Sequence, residues 1–206
     1  MASPSQPPLF VLGTSSKTRH KLFKDNFDAP FTTLRPCIDE QGVNVGSSPR
    51  SSSDPKQLAL EIAGRKADAL VPMLQENSIL ITSDQVMLHA GKIREKPKDI
   101  EQCRHYLRSY SKHHAMTVTA VVVHRKSDDI RISGVDTCTQ YFRSIPDDIV
   151  EQLLEKGEVL HCAGGITVED ELLKPYLALR QGDLDSFMGL PVRLLRRLIM
   201  ELGVNI

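Results

Sequence analysis

Residues 79–97, ILITSDQVMLHAGKIREKP, constrain the fold of this chain more than any other stretch. The apolar, β-branched run over residues 79–82 predicts a buried strand, and it ends abruptly in Ser83-Asp84-Gln85. A strand that stops at polar groups points to a sheet edge facing a ligand, because α/β proteins place their sites beyond strand ends. Gly91-Lys92 predicts a turn, and a second short strand leads back to Lys96-Pro97. The hairpin brings one carboxylate, one amide and one ammonium near each other. That is a kit for metal-assisted chemistry on an anion.

The 206 residues suffice for one large domain or two small lobes with a real core. Twenty-six basic residues balance 26 acidic ones, which argues against a nucleic-acid coat or a membrane-surface protein. The longest apolar runs, such as 119–123, are far too short to cross a bilayer. The opening MASPSQPP has neither the basic flank nor the apolar core of a secretory signal. Its Pro and Ser predict a disordered tail over residues 1–8, followed by one domain over 9–206. Cys37, Cys103, Cys138 and Cys162 are scattered without a CxxC pair, so reduced thiols in the cytoplasm are expected.

Residues 9–12 predict a first strand, ending in Gly13-Thr14-Ser15-Ser16, and residues 17–24 a helix. A small-residue turn between strand and helix lets backbone N–H groups approach an anion, with the helix dipole aligned to favour it. Residues 31–34 predict a second strand, followed by a loop that carries Asp39 and Glu40. Asp54-Pro55 is a helix start. Leu58, Ile62, Lys66 and Leu70 recur every four residues, so Lys66 falls on or beside an apolar stripe. It either snorkels to water or reaches an anion at the rim of the core.

Asp99 opens a further helix with Ile100, Cys103, Leu107 and Tyr110 inward. Residues 113–124 and 130–142 predict an antiparallel pair. Pro146 starts a helix that Gly157 ends, residues 176–180 a strand, and Gly189-Leu190-Pro191 the last helix. His161-Cys162 reads as a buried structural pair, since no second pair sits at metal-ligand spacing.

Four blocks together resemble a known family. They are LGTSSKTRHKLF, SDQVMLHAGKIREKP, HCAGG and GDLDSFMGLPVRLL, in order and spread over roughly residues 9–202. The chain looks like a Maf-like nucleoside triphosphate pyrophosphatase. The resemblance implies an α/β fold of the inosine-triphosphatase type, with a mixed, elongated, twisted sheet and two lobes around a cleft. It implies cleavage between the α and β phosphates of a nucleoside triphosphate, dependent on Mg2+ or Mn2+. Asp84 matches the catalytic base. Thr14, Ser16 and Arg19 match a phosphate-binding turn, and Lys66 and Lys96 two further phosphate lysines.

Gln85 and Glu169 match the subgroup acting on 7-methyl-GTP, where the dTTP/UTP subgroup carries Thr and Gln. A carboxylate suits the N–H donors of a cationic 7-methylguanine edge, at ~1.5–3 kcal/mol per charge-assisted hydrogen bond. Thr18 stands where that subgroup has an aromatic residue, His20 replaces a basic one, and Asp170-Glu171-Leu172 replaces a glycine-containing loop. Glu40 or Asp39 is the candidate for extra metal ligation beside Asp84. The alternatives are a pyrophosphatase for dTTP/UTP or ITP-type nucleotides, and a nucleotide-binding regulator of cell division with little turnover. The resemblance also allows a homodimer.

Overall fold

The computed structural model describes residues 7–46, 50 and 53–204. The tail expected over residues 1–8 therefore lies almost wholly outside the described residues. Seven strands form one mixed sheet: β1 (Leu9–Gly13), β2 (Phe31–Leu34), β3 (Ser78–His89), β4 (Lys92–Arg94), β5 (Ala115–Arg125), β6 (Ile130–Phe142) and β7 (Leu177–Gln181). Their spatial order is β2-β1-β3-β5-β6-β7, with β4 beside β3. β1 runs parallel to β2 and β3; the other pairs are antiparallel. The expected mixed α/β sheet is what the chain forms.

Among the described residues six α-helices cover the sheet: α1 (Lys17–Asn26), α2 (Pro55–Leu70), α3 (Ile100–Ser109), α4 (Asp147–Lys156), α5 (Leu184–Phe187) and α6 (Val192–Glu201). Strand alternation sorts their contacts. Phe10, Leu12, Ile79, Ile81, Val121 and Val123 face one way, against α1 and α6. Val11, Leu80, Ala120 and Val122 face the other way, against Leu58, Ile62 and Ala63 of α2. A third core lies further along the long strands, where Met87, Ala115 and Cys138 meet α3 and α4. On the first face of β3, Ser83 and Gln85 interrupt the apolar series between Ile81 and Met87. On the other face, Thr82 and Asp84 interrupt it between Leu80 and Val86. On the first face the polar break falls where one core ends and the next begins; on the other face Leu80 and Val86 belong to one core.

Three local expectations differ from the structure. β3 does not stop at Thr82 but continues to His89, because β5 pairs with it along its whole length, Ile79↔Arg125 to His89↔Ala115. Asp84 is thus a mid-strand residue. The hairpin turn is Ala90-Gly91, both at positive φ, with His89 facing Lys92 across it. This is the geometry that two-residue hairpins of right-handed twist require. Ile100 is exposed at the first position of α3, and the buried stripe begins at Cys103.

Candidate active site

β1 ends at Gly13, which pairs with Thr82, whereas β4 joins β3 only at Met87. Over residues 83–86 the edge of β3 has no strand on that side. A cleft of about 440 Å³ opens at this gap, beyond the carboxyl end of β1. It meets the expectation that α/β sites lie past a strand end, with β1 rather than β3 supplying the end.

The turn after β1 supplies the first wall. Thr14 Oγ1 accepts from the Ser16 N–H at 3.1 Å, and Ser16 Oγ caps α1 by accepting from the Arg19 N–H at 3.3 Å. Each hydroxyl accepts within the turn, which leaves its hydrogen free to donate to an anion. The first helical bond runs from His20 N to Ser16 O. The N–H groups of Lys17 and Thr18 therefore open the helix without an intrahelical acceptor.

Arg19 is held by two backbone carbonyls. Its Nε donates to Gly189 O and its Nη1 to Ser83 O, both at 2.9 Å. Burial pulls the guanidinium below its ordinary pKa, and Asp84 and Glu40 pull it back; it stays charged. A Cβ on Gly189, whose φ is +98°, would sit 3.1 Å from Arg19 Nε. Only glycine permits this approach.

Asp84 is 5% exposed and Lys66 4%. Lys66 Nζ donates to Asp84 Oδ1 at 2.8 Å and pairs with Glu40 Oε1 at 2.9 Å. Lys66 lies on α2, whose Asp54 cap accepts from Gln57 N and whose Leu58, Ile62 and Leu70 are buried on the same stripe. Lys66 does not snorkel to water; its ammonium is buried against the carboxylates of Asp84 and Glu40. Burial raises the Asp84 pKa above the ordinary carboxylate value, and Lys66 and Arg19 partly offset the rise. A buried carboxyl with a raised pKa beside two cations suits a general base.

Residues 9–202 match the family described as Maf-like protein. The chain belongs to the Maf-like family. A 7-methyl-GTP pyrophosphatase from Dictyostelium discoideum is 38% identical over 200 residues, covering 94% of this chain and 96% of that protein. A 7-methyl-GTP pyrophosphatase from Bordetella pertussis is 31% identical over 207 residues, 98% and 96% of the two chains. A dTTP/UTP pyrophosphatase from Chlamydia felis is 26% identical over 203 residues, 97% and 96%. Among solved structures, a HAM1 protein from Coxiella burnetii is a loose likeness. Its TM-score is 0.39 at 12% identity, over 66% of this chain and 73% of that one.

In this Maf-like chain the cleft gathers ten of the residues singled out from the sequence: Thr14, Ser16, Thr18, Arg19, Glu40, Lys66, Asp84, Gln85, Lys96 and Glu169. Asp39 does not join them. Its carboxylate accepts from the N–H groups of Gln41 and Gly42 and builds its own turn. His20 turns away and packs on Phe31. His161 and Cys162 were expected to be buried, yet His161 is exposed, Cys162 is half-buried, and both line the cleft. Gly164 and Gly165 are the buried members of that run, with Gly164 O accepting from the Tyr110 hydroxyl.

The Gln85 amide is fixed from behind. Its Nε2 donates to Thr119 Oγ1, Ser186 O and Phe187 O at 2.9–3.0 Å. Only the nitrogen can face three oxygens, so Oε1 is the atom left to accept from a ligand. Sequence reasoning missed Gly189, the Ser83 carbonyl and Thr119, because backbone acceptors and buried hydroxyls carry no motif of their own. The positive φ of Gly189 is the single trace, as the glycine before Leu190-Pro191.

Glu40 and Asp84 set two carboxylate oxygens around one point, which is a hard donor set of the kind Mg2+ and Mn2+ take. Among the described residues no group of three or more His, Cys, Asp or Glu is arranged to hold a metal. Phosphate and water would complete such a shell, as is usual for Mg2+. No helix among the described residues is long and apolar enough to cross a membrane.

Proposed function

We propose that this Maf-like protein is a nucleoside triphosphate pyrophosphatase that cuts between the α and β phosphates, with 7-methyl-GTP as its preferred substrate. The observation that carries the reading is Asp84. It is a buried carboxyl with a raised pKa, at a gap in the sheet, between two cations and beside an anion-binding turn. The geometry and the two 7-methyl-GTP pyrophosphatase relatives support the same assignment.

The hydroxyls of Thr14 and Ser16, the opening of α1 and the guanidinium of Arg19 bind the phosphates, with Lys96 also lining the cleft. Phosphoryl transfer spreads charge over the equatorial oxygens, so fixed donors there lower the barrier without reorganising. Arg19 is such a donor, since two carbonyls already hold it. Asp84 orients a water and takes its proton; without nucleotide its Oδ1 is held by Lys66. Glu40 and Asp84 would hold a divalent cation, whose chemistry is to neutralise phosphate charge and acidify bound water.

Gln85 Oε1 and the Glu169 carboxylate are both acceptors. They match the N–H donors of a 7-methylguanine edge, and its positive charge favours Glu169. Thr18 offers no aromatic face, so selectivity rests on these two acceptors. The test is pyrophosphate release from 7-methyl-GTP, GTP, dTTP, UTP, CTP and ITP with Mg2+ or Mn2+, for wild type and Asp84→Asn. Turnover selective for 7-methyl-GTP and lost in the variant is expected. A pyrimidine or ITP preference would overturn the substrate assignment, and nucleotide binding without turnover would overturn the enzyme.

A further inference from the structure

Lys66 Nζ touches three oxygens: Asp84 Oδ1 at 2.8 Å, Glu40 Oε1 at 2.9 Å and Ser83 O at 3.4 Å. An ammonium has three donors, and here each has an acceptor. As it stands, Lys66 has nothing left to offer a phosphate. The same three oxygens are what a hard divalent cation would take. The ammonium therefore sits in a cation seat that the protein fills with its own charge.

The neighbouring cation is built differently. Arg19 is anchored by Gly189 O and Ser83 O, and its planar fork is fixed by them. Lys66 is a point charge on a flexible stem, and one of its partners, Glu40, is a half-exposed side chain on the loop after β2. Lys66 can leave the seat; Arg19 cannot without breaking two backbone contacts.

We propose that Lys66 is a resident counter-cation that couples metal binding to nucleotide binding. In the free protein its ammonium offsets part of the charge of Glu40 and Asp84 and keeps divalent metal affinity low. A triphosphate offers the ammonium a new partner, the seat is vacated, and metal affinity rises. Linkage makes the effect reciprocal, so metal tightens nucleotide binding by the same factor. The assignment rests on the metal-assisted pyrophosphatase reading above. It adds a means of keeping the two carboxylates paired with a cation until substrate arrives.

Mn2+ binding to the full chain, followed by electron paramagnetic resonance, tests it. Without nucleotide, Lys66→Met should bind Mn2+ at least about tenfold more tightly than wild type. Lys66→Arg, which keeps the charge, should stay as weak as wild type. Adding Glu40→Gln to Lys66→Met should abolish the gain. In wild type, α,β-methylene-GTP should tighten Mn2+ binding by about tenfold, after correction for Mn2+ held by the free analogue. In Lys66→Met that coupling should vanish.

Mn2+ affinity no higher in Lys66→Met, or coupling undiminished in it, would overturn the proposal. If Lys66→Met does not fold by circular dichroism, Lys66→Gln replaces it. An absence of nucleotide-dependent tightening in wild type then overturns the proposal by itself. The two layers separate cleanly. Undiminished wild-type turnover in excess chelator would sink the metal-assisted reading and this inference together. Metal-dependent turnover with no gain in Lys66→Met would remove only the role of Lys66.

Discussion

Asp84 is the residue on which the chemistry turns, and its environment fixes two expectations. Its folded pKa lies above the unfolded value because burial outweighs Lys66 and Arg19. The ionised carboxylate is therefore a cost to the fold, relieved as pH falls through the raised pKa. Asp84→Asn removes that cost, and the amide oxygen can still accept from Lys66. The variant should lose about 10²–10⁴-fold in kcat while its Tm stays equal to or above wild type. Steady-state kinetics and a thermal melt on the same sample check this. The same shift places the acid limb of the activity profile above the ordinary aspartate range. Glu40 contributes to the rise, so Glu40→Gln should move the limb to lower pH, whatever it does to the plateau. A pH profile of kcat/KM with an unmoved limb would refute the electrostatic link.

The elements bring the residues together by three devices: a strand gap, a helix start and a returning C-terminal segment. β3 is polar in its middle where β1 has ended and β4 has not begun, so side chains from both faces reach the same opening. α1 begins at that opening. The turn before α6 then comes back across 170 residues of sequence to meet Arg19 at Gly189 O. Gly189→Ala should displace the guanidinium, because the new Cβ would sit 3.1 Å from Nε and 3.3 Å from Nη2. The loss of one charge-assisted contact corresponds to about 10–100-fold in kcat/KM. Forcing alanine to φ +98° adds about 1–3 kcal/mol of destabilisation. Kinetics and urea unfolding would read the two effects separately. Full activity in a destabilised protein would show that Gly189 serves the fold alone.

At the scale of the molecule, two buried histidines set the response to acid. His89 packs edge-on against Tyr110 and His113, and its Nδ1 has no hydrogen-bond partner. Burial, then Arg94 and His113, hold its pKa down to about 4. His124 is shifted in the same direction by burial and then by Arg131. Both folded pKa values lie below 6.5, so the unfolded chain protonates first. Their contribution is complete above pH 6.5 and is lost as pH falls through the lowered values, for His89 down to about 4. Urea unfolding at pH 7 and pH 4.5 should differ by an amount on the order of 1–3 kcal/mol from His89. His89→Gln should flatten that difference. An unchanged slope would mean that other groups govern acid stability.

The sequence by itself determined the elements and the chemical kit. Alternation of apolar residues marked the strands, Asp54 and Asp99 marked helix starts, and small residues after β1 marked an anion turn. All of these are local signals, set by backbone sterics and by the burial of neighbours. The tertiary structure decided which groups meet. It made Asp84 a mid-strand residue by pairing β3 with β5 along its whole length. It turned Lys66 from a stripe residue into the partner of two carboxylates. It anchored Arg19 on a distant carbonyl, and it locked Gln85 through Thr119 and the turn of α5. These contacts join residues 18 to 170 positions apart. They depend on packing and on the desolvation of charge, and neither is written in any local pattern.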